Sequence, residues 1–377
     1  MNKNKILKII DELSNNAMFA ISLTSKELFH TNLWAWMLRK YPNIFTPVFY
    51  PKYDGNGKIE VFREKYNFDL LIKIGDEYII IENKFKSAPN KEQLEKYYKK
   101  IKTEKKKVVL ISYFKPLFMS ALFDLEEYIS YETLYLRMSK VFFSQPESMF
   151  KGNDWFLIND YIEFLYLLNQ FNRYVSVNEN DKIEDLWAVI KDEDIQKELS
   201  KINFTKTFER VFMTKLTQIA LDKFKYSEFI DNIRIDCGQD LKVFSDILFY
   251  FPGTWDKNEN KRQDLCYLGI SLWGDEYRYY AGLHKSQCGI DSSKNSHLDK
   301  ENKIAGFKYL SDNYAWLFGQ EDFCKWNGYS CESEMYLYKR INISKYSVKE
   351  LSEKVIHDLE LIYFYIEPMR NENVEIK

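Results

Sequence analysis

Apolar residues recur at helical spacing over 4–14 and 24–40, which predicts two amphipathic helices at the start of the chain. From Ile59 the pattern shifts to short runs rich in Ile, Leu, Tyr and Phe, which suit a pleated, buried surface. IEVFREKY, behind the Asn56-Gly57 turn, predicts a first strand, and residues 68–74 and 77–85 predict two more. Gly75-Asp76 between the latter two is a Gly-first pair that favours a two-residue hairpin turn, because glycine tolerates positive φ. A helix at 90–102, a strand at 107–114, a strand at 127–133 and helices through about 172 follow. That order predicts a mixed sheet flanked by helices, in the α/β class.

The polar stretch VSVNENDKIEDL at 175–186 predicts a boundary, and a helical segment at about 181–225 comes next. From about 230 the runs NIRIDCG, KVFSDILFYFPG, LCYLGISLWGDEYRYYAGL and MYLYKRINI read as strands separated by turn residues. A closing helix is expected behind Ser347 as N-cap, ending near Pro368. The expected organisation is one domain at 1–175, a helical connector at 176–229, and an α+β domain with a mainly antiparallel sheet at 230–377. A chain of 377 residues exceeds one typical domain, which agrees with that division.

The hairpin also suggests a chemistry. If Ile74 faces Glu77 across the turn, Asp69 falls opposite Glu82, with Cβ atoms roughly 4.5–5.5 Å apart. Alternation puts Lys84 on the same face and turns Asn83 away. Carboxylates that close repel each other unless a cation or a proton lies between them. Two acids and a lysine at adjoining strand ends suit a divalent cation beside a hydrolytic water. The plainer alternative is a surface hairpin with ordinary charges.

Asp69 followed by Glu82-Asn83-Lys84 at the end of an apolar strand resembles the PD-(D/E)xK nuclease superfamily, closest to a bacterial branch with IIIENK and a Gln-Leu…Tyr helix. KELFHTNLWAWML at 26–38 resembles that family's first helix, and NKEQLEKYY at 90–98 its Gln-containing helix. KKVVLISYF, EYISYETLYLRM and NDWFLINDYIEFL resemble the remaining elements, so the likeness covers roughly residues 5–175. Phe68 stands where the namesake proline would be.

The resemblance implies a restriction-endonuclease-like domain and a Mg²⁺- or Mn²⁺-dependent phosphodiesterase acting on nucleic acid, DNA ahead of RNA. It implies Asp69, Glu82 and Lys84 as catalytic residues. It implies Glu27, Asp69, Glu82 and the backbone carbonyl of Asn83 as metal ligands. Gln93 and Tyr97 would position substrate or ligands. By family analogy a cytoplasmic, bacterial, phage-defence setting is expected.

Several of these residues have structural roles open to them as well. Thr24-x-x-Glu27 and Asn90-x-x-Gln93 are both capping boxes. Glu27, His30 and Trp34 share one helical face, which would bring His30 toward the site or bury it. Residues 91–107 hold eight lysines against three glutamates. That stretch, Lys99 and Lys100 included, either tracks a phosphate backbone or forms a solvated helix surface. Trp255, Trp273, Trp316 and Trp326 suit core packing better than base stacking.

Composition narrows the rest. A net charge of −2 provides no overall field toward polyanions or membranes. Five cysteines without a CxxC pair fit reduced thiols better than a disulfide framework or a zinc site. MNKNKILKII meets Asp11 and Glu12 too early for a signal peptide, and no apolar run is long enough to span a membrane. A second reading keeps the fold without turnover: a nucleic-acid-binding or sensor subunit of a bacterial defence complex. A protein partner or a second copy would then use the C-terminal domain.

Overall fold

The computed structural model describes the chain except residues 26, 88, 90–93, 95–97, 104, 118–124, 238–242, 255–262, 285–309, 311–313, 315–326, 331–333 and 372–377. It divides into two compact units, one of residues 1–176 and 189–212, the other of 177–188 and 213–377. Residues 176–229, expected as a connector, are shared between them.

The first unit opens with four helices, α1 (Lys3–Asn15), α2 (Ala17–Ser25), α3 (Glu27–Lys40) and α4 (Pro42–Phe49). The helix expected over 24–40 therefore starts at Glu27, and Thr24 lies in the last turn of α2 rather than at a cap position. Asn16 separates α1 from α2 by accepting the Phe19 N–H on its side chain at 2.9 Å. Pro42 suits the first turn of α4, where no N–H is needed.

A five-stranded mixed sheet follows, built from β1 (Ile59–Arg63), β2 (Leu70–Ile74), β3 (Glu77–Lys84), β4 (Lys106–Ser112) and β5 (Leu125–Ser130) in that spatial order. β1, β2 and β3 run antiparallel, and β3, β4 and β5 run parallel. β5 ends earlier than expected because the Ser130 side chain accepts the Thr133 N–H at 3.0 Å and starts α5 (Tyr131–Phe143). The helix α6 (Asp154–Tyr174) packs on α5 and α1.

The β2–β3 hairpin forms in the expected register, with Ile74 opposite Glu77 and Leu70 opposite Ile81. Gly75 has φ +57°, with nothing within 4 Å of an added Cβ, so its role is conformational. Gly75→Ala should therefore destabilise the protein by about 1 kcal/mol, the left-handed cost for an L-residue, read from the chemical denaturation midpoint.

Each face of this sheet has its own cover. Leu71, Ile80, Val108 and Leu110 pack with Phe68, Leu94 and Ile101. On the opposite face Phe85 stacks on Tyr131, with ring centroids 5.5 Å apart.

Three helices, α7 (Ile183–Ile190), α8 (Glu193–Lys201) and α9 (Thr205–Leu221), precede the second sheet. That sheet has six antiparallel strands, β6 (Asn232–Cys237), β7 (Val243–Thr254), β8 (Gln263–Trp273), β9 (Glu276–His284), β10 (Asn327–Ser330) and β11 (Glu334–Asn342). Their order is β10-β11-β9-β8-β7-β6. β10 was not expected from the sequence. β8 and β9 turn at Gly274-Asp275, with Gly274 at φ +66°, the same chemistry as Gly75-Asp76.

The closing helix α10 (Val348–Asn371) starts with a reciprocal capping box. Ser347 N–H donates to Glu350 at 2.6 Å, and Glu350 N–H donates to Ser347 Oγ at 3.2 Å. α10 runs past Pro368, where an end was expected. No helix among the described residues is long and apolar enough to cross a membrane.

Candidate active site

The hairpin register ends at Leu70–Ile81, and the next step outward brings Asp69 and Glu82 together. Asp69 Oδ2 accepts the Asn83 backbone N–H at 2.7 Å, which fixes the carboxylate against the β3 backbone. Glu82 is 1 % exposed, and its Oε1 pairs with Lys84 Nζ at 2.7 Å. Burial pushes the Glu82 carboxyl up to about 8, the negative charge of Asp69 adds to the shift, and Lys84 only partly opposes it. A short ion pair would by itself lower that pKa, so loss of water decides the balance.

Glu82 Oε2 is buried and, apart from the Asp69 carboxyl beside Glu82, has no hydrogen-bond partner among the described residues. Two carboxyls pressed together in a buried site are costly unless a proton or a cation lies between them. The donors here are hard oxygens next to a cationic amine, the set that suits Mg²⁺ or Mn²⁺. By that test the residues present fit a divalent cation.

Asn83 turns to the other face, as alternation requires, and its Oδ1 accepts from Tyr131 Oη at 3.0 Å. The Lys84 carbonyl accepts the Tyr113 N–H at 2.8 Å. Tyr131 and Tyr113 thus hold the Glu82–Lys84 strand end in place, and neither was singled out in the sequence.

Residues 52–119 match the family model of the PD-(D/E)XK nuclease superfamily. The matched stretch contains β1 to β4, and with them Asp69, Glu82, Asn83 and Lys84. A nuclease superfamily match supports a nuclease-type function and a nucleic-acid substrate, and nucleases of this superfamily generally use divalent metal ions. No curated protein and no solved structure matches the chain.

The other expected superfamily positions are distributed differently. Glu27 is the first residue of α3, upstream of the matched stretch, and its side chain lies outside the described residues. Gln93 and Tyr97 also lie outside the described residues. Among the described residues, no three His, Cys, Asp or Glu side chains cluster as a metal site.

His30 is not drawn to the carboxylates. It is fully buried in an aromatic box, with Nδ1 2.8 Å from Tyr161 Oη, which itself accepts from Trp34 Nε1 at 2.7 Å. Burial, helped by the charge of Lys86, drops its pKa to about 3, so the ring is neutral.

Of the lysine-rich stretch, Lys91 and Lys96 lie outside the described residues, Lys99, Lys102 and Lys105 are exposed, and Lys100, Lys106 and Lys107 make local contacts. Lys107 pairs with Glu77 at 2.7 Å, and Lys106 donates to the Ile101 carbonyl at 2.7 Å. Lys100 donates to the Tyr66 carbonyl at 2.8 Å, while Lys99 is exposed. Tyr66 belongs to a connection in which Glu64, Tyr66 and Asn67 have φ of 53°, 60° and 63°. Non-glycine residues rarely adopt that region, and a run of them just before Asp69 marks strain where the chain must be aimed at the site. Lys100 anchors this connection through the Tyr66 carbonyl.

Proposed function

We propose that the first unit is a metal-dependent nuclease that hydrolyses phosphodiester bonds, of DNA ahead of RNA. The observation behind this reading is the Asp69–Glu82–Lys84 constellation, with its buried pair of carboxyls, inside the stretch that matches a nuclease superfamily. Asp69 and Glu82 would hold the ion, joined by the Asn83 carbonyl and by Glu27 from the start of α3. A bound Mg²⁺ or Mn²⁺ lowers the pKa of its water and offsets charge on the phosphate.

The chain's own residues would do the rest. Lys84, restrained by Glu82, would orient the attacking water and place a positive charge beside the scissile phosphate. The Asn83 N–H would keep Asp69 facing the ion. Gln93, Tyr97, Lys99 and Lys100 would contact the substrate strand. The setting we favour is cytoplasmic antiviral defence in a bacterium. A non-catalytic binding subunit has less support, because neither a purely binding surface nor the packing of the sheet needs two carboxyls pressed together in a buried site.

Metal binding should depend on pH through Glu82. The ion requires the carboxylate, which near neutral pH holds a proton in the metal-free protein. Apparent Mn²⁺ affinity should therefore rise about tenfold per pH unit up to about 8 and then level off, with close to one proton released per ion. Calorimetry in buffers of different ionisation enthalpy measures both quantities.

A cleavage panel tests the activity. Linear, circular and single-stranded DNA and RNA are incubated with Mg²⁺, with Mn²⁺ and with EDTA. Metal-dependent cutting of at least one substrate is expected, and no cutting of any would refute the nuclease reading.

A further inference from the structure

The six-stranded sheet of the second unit has two unlike faces. Ile247, Phe249, Leu268 and Ile270 are buried on the side where α10 packs, and Tyr277 Oη on that side reaches Asp358 of α10 at 2.6 Å. On the other side the registers align Asp246, Tyr250, Tyr267, Trp273 and Tyr280. These residues line a cavity of about 230 Å³ with Arg234 and Phe244 among its other walls.

The size and walls narrow what fits. The volume lies below the ~300–1,000 Å³ of clefts for drug-sized ligands, which suits one flat ring system. Two aromatic pairs form the walls, Tyr250 with Tyr267 at 5.6 Å and Phe244 with Trp273 at 5.1 Å between centroids. The floor is deliberately shaped. A Cβ on Gly282 would fall 2.1 Å from Tyr267 Cζ, so only glycine lets that ring lie across β9. Arg278 stiffens the far wall by stacking 3.8 Å over Trp273 while bonding Glu276 at 2.6 and 3.1 Å.

The charges narrow it further. Asp246 is largely buried, at 16 % side-chain exposure. It lies close enough to Tyr280 to add to the effect of burial, which together push that phenol to about 12. Arg234 forms a loose ion pair with Asp246 at 3.8 Å from a side chain 56 % exposed, at the rim, where it is free to turn outward. A simple cation drawn to Asp246 would meet Arg234, and a simple anion drawn to Arg234 would meet Asp246. A nucleotide satisfies both. Its base stacks on the tyrosines and gives amino hydrogens to Asp246, and its phosphate lies on Arg234.

We propose that this pocket binds a single unstacked nucleobase bearing an exocyclic amino group, held by Asp246 and the tyrosine walls with Arg234 on the adjoining phosphate. The proposal deepens the nuclease reading, since it supplies a way for the second unit to choose among nucleic acids. Thymine and uracil, which lack that amino group, would be disfavoured.

Fluorescence anisotropy with labelled dC and dT homopolymers, on the full chain in EDTA, tests it. The wild type should bind the dC strand about tenfold more tightly than the dT strand. Asp246→Ala should reduce that preference to less than about twofold, and Tyr250→Ala should weaken both strands about tenfold. Arg234→Ala, at an exposed position, should weaken both and flatten the salt dependence by about one ion. Thermal unfolding of each variant checks its fold, and the rim variant stands as the test if the Asp246 variant does not fold.

Equal binding of dC and dT by the wild type, or a preference that survives Asp246→Ala, would overturn the proposal. EDTA keeps the metal site out of this measurement. Lost base preference with intact cleavage would therefore sink the pocket alone, and intact preference without cleavage would sink only the nuclease reading.

Discussion

Glu82→Gln should make the metal-free protein more stable while removing its affinity for Mn²⁺. Glu82 is buried, and its carboxyl is raised from the usual range to about 8. The folded chain therefore holds a proton there that the unfolded chain gives up, and stability falls as pH rises between about 4.5 and 8. Below that window the side chain is neutral in both states and costs nothing of this kind. Above it the full penalty is present.

Glutamine removes the charge and keeps the shape, though Lys84 Nζ then donates to a neutral amide oxygen in place of its 2.7 Å carboxylate partner. A net gain on the order of 1–3 kcal/mol is expected above pH 8, shrinking toward zero near pH 4.5. Denaturation midpoints across pH measure it, and calorimetry should detect no Mn²⁺ binding in the same variant. A residue whose removal stabilises the fold is held for function rather than packing. If the variant were less stable at every pH, Glu82 would be a structural group and the metal reading would lose its main physical support.

Lys84→Ala should lower the single-turnover cleavage rate by about 10²–10⁴ at saturating metal. Its ammonium is nearly enclosed, with 10 % side-chain exposure, so it adds little to the affinity for the substrate strand as a whole. Dissociation constants measured by anisotropy should stay within about threefold of wild type. Lys84→Arg should recover little, because a planar fork does not replace a compact point charge in a tight site. Cleavage by Lys84→Ala at the wild-type rate would remove Lys84 from the mechanism.

The hairpin was legible because its information is local. Gly75-Asp76 sets the turn, period-two alternation sets the faces, and together they bring Asp69 beside Glu82. Gly274-Asp275 repeats the device in the second sheet, inside a run whose strand character was plain but whose turn was not singled out. α2 was missed because AMFAISLTS is apolar without a clean helical stripe, and Asn16 caps it with a bond that composition does not advertise.

The environment of the site was less legible, because it depends on partners remote in sequence. His30 is neutralised in a box closed by Tyr161, and Asn83 is held by Tyr131. Lys107 is taken up by Glu77 and Tyr50, which no charge count over 91–107 reveals. The positive φ angles at Glu64, Tyr66 and Asn67 occur without a glycine to signal them.

The most direct test is a crystal of the wild-type protein grown with Mn²⁺ and measured at the manganese edge. An anomalous peak is expected within about 2.0–2.3 Å of carboxylate oxygens from both Asp69 and Glu82. Saturating Mn²⁺ that leaves both side chains without a peak, or puts the ion elsewhere in the unit, would contradict it.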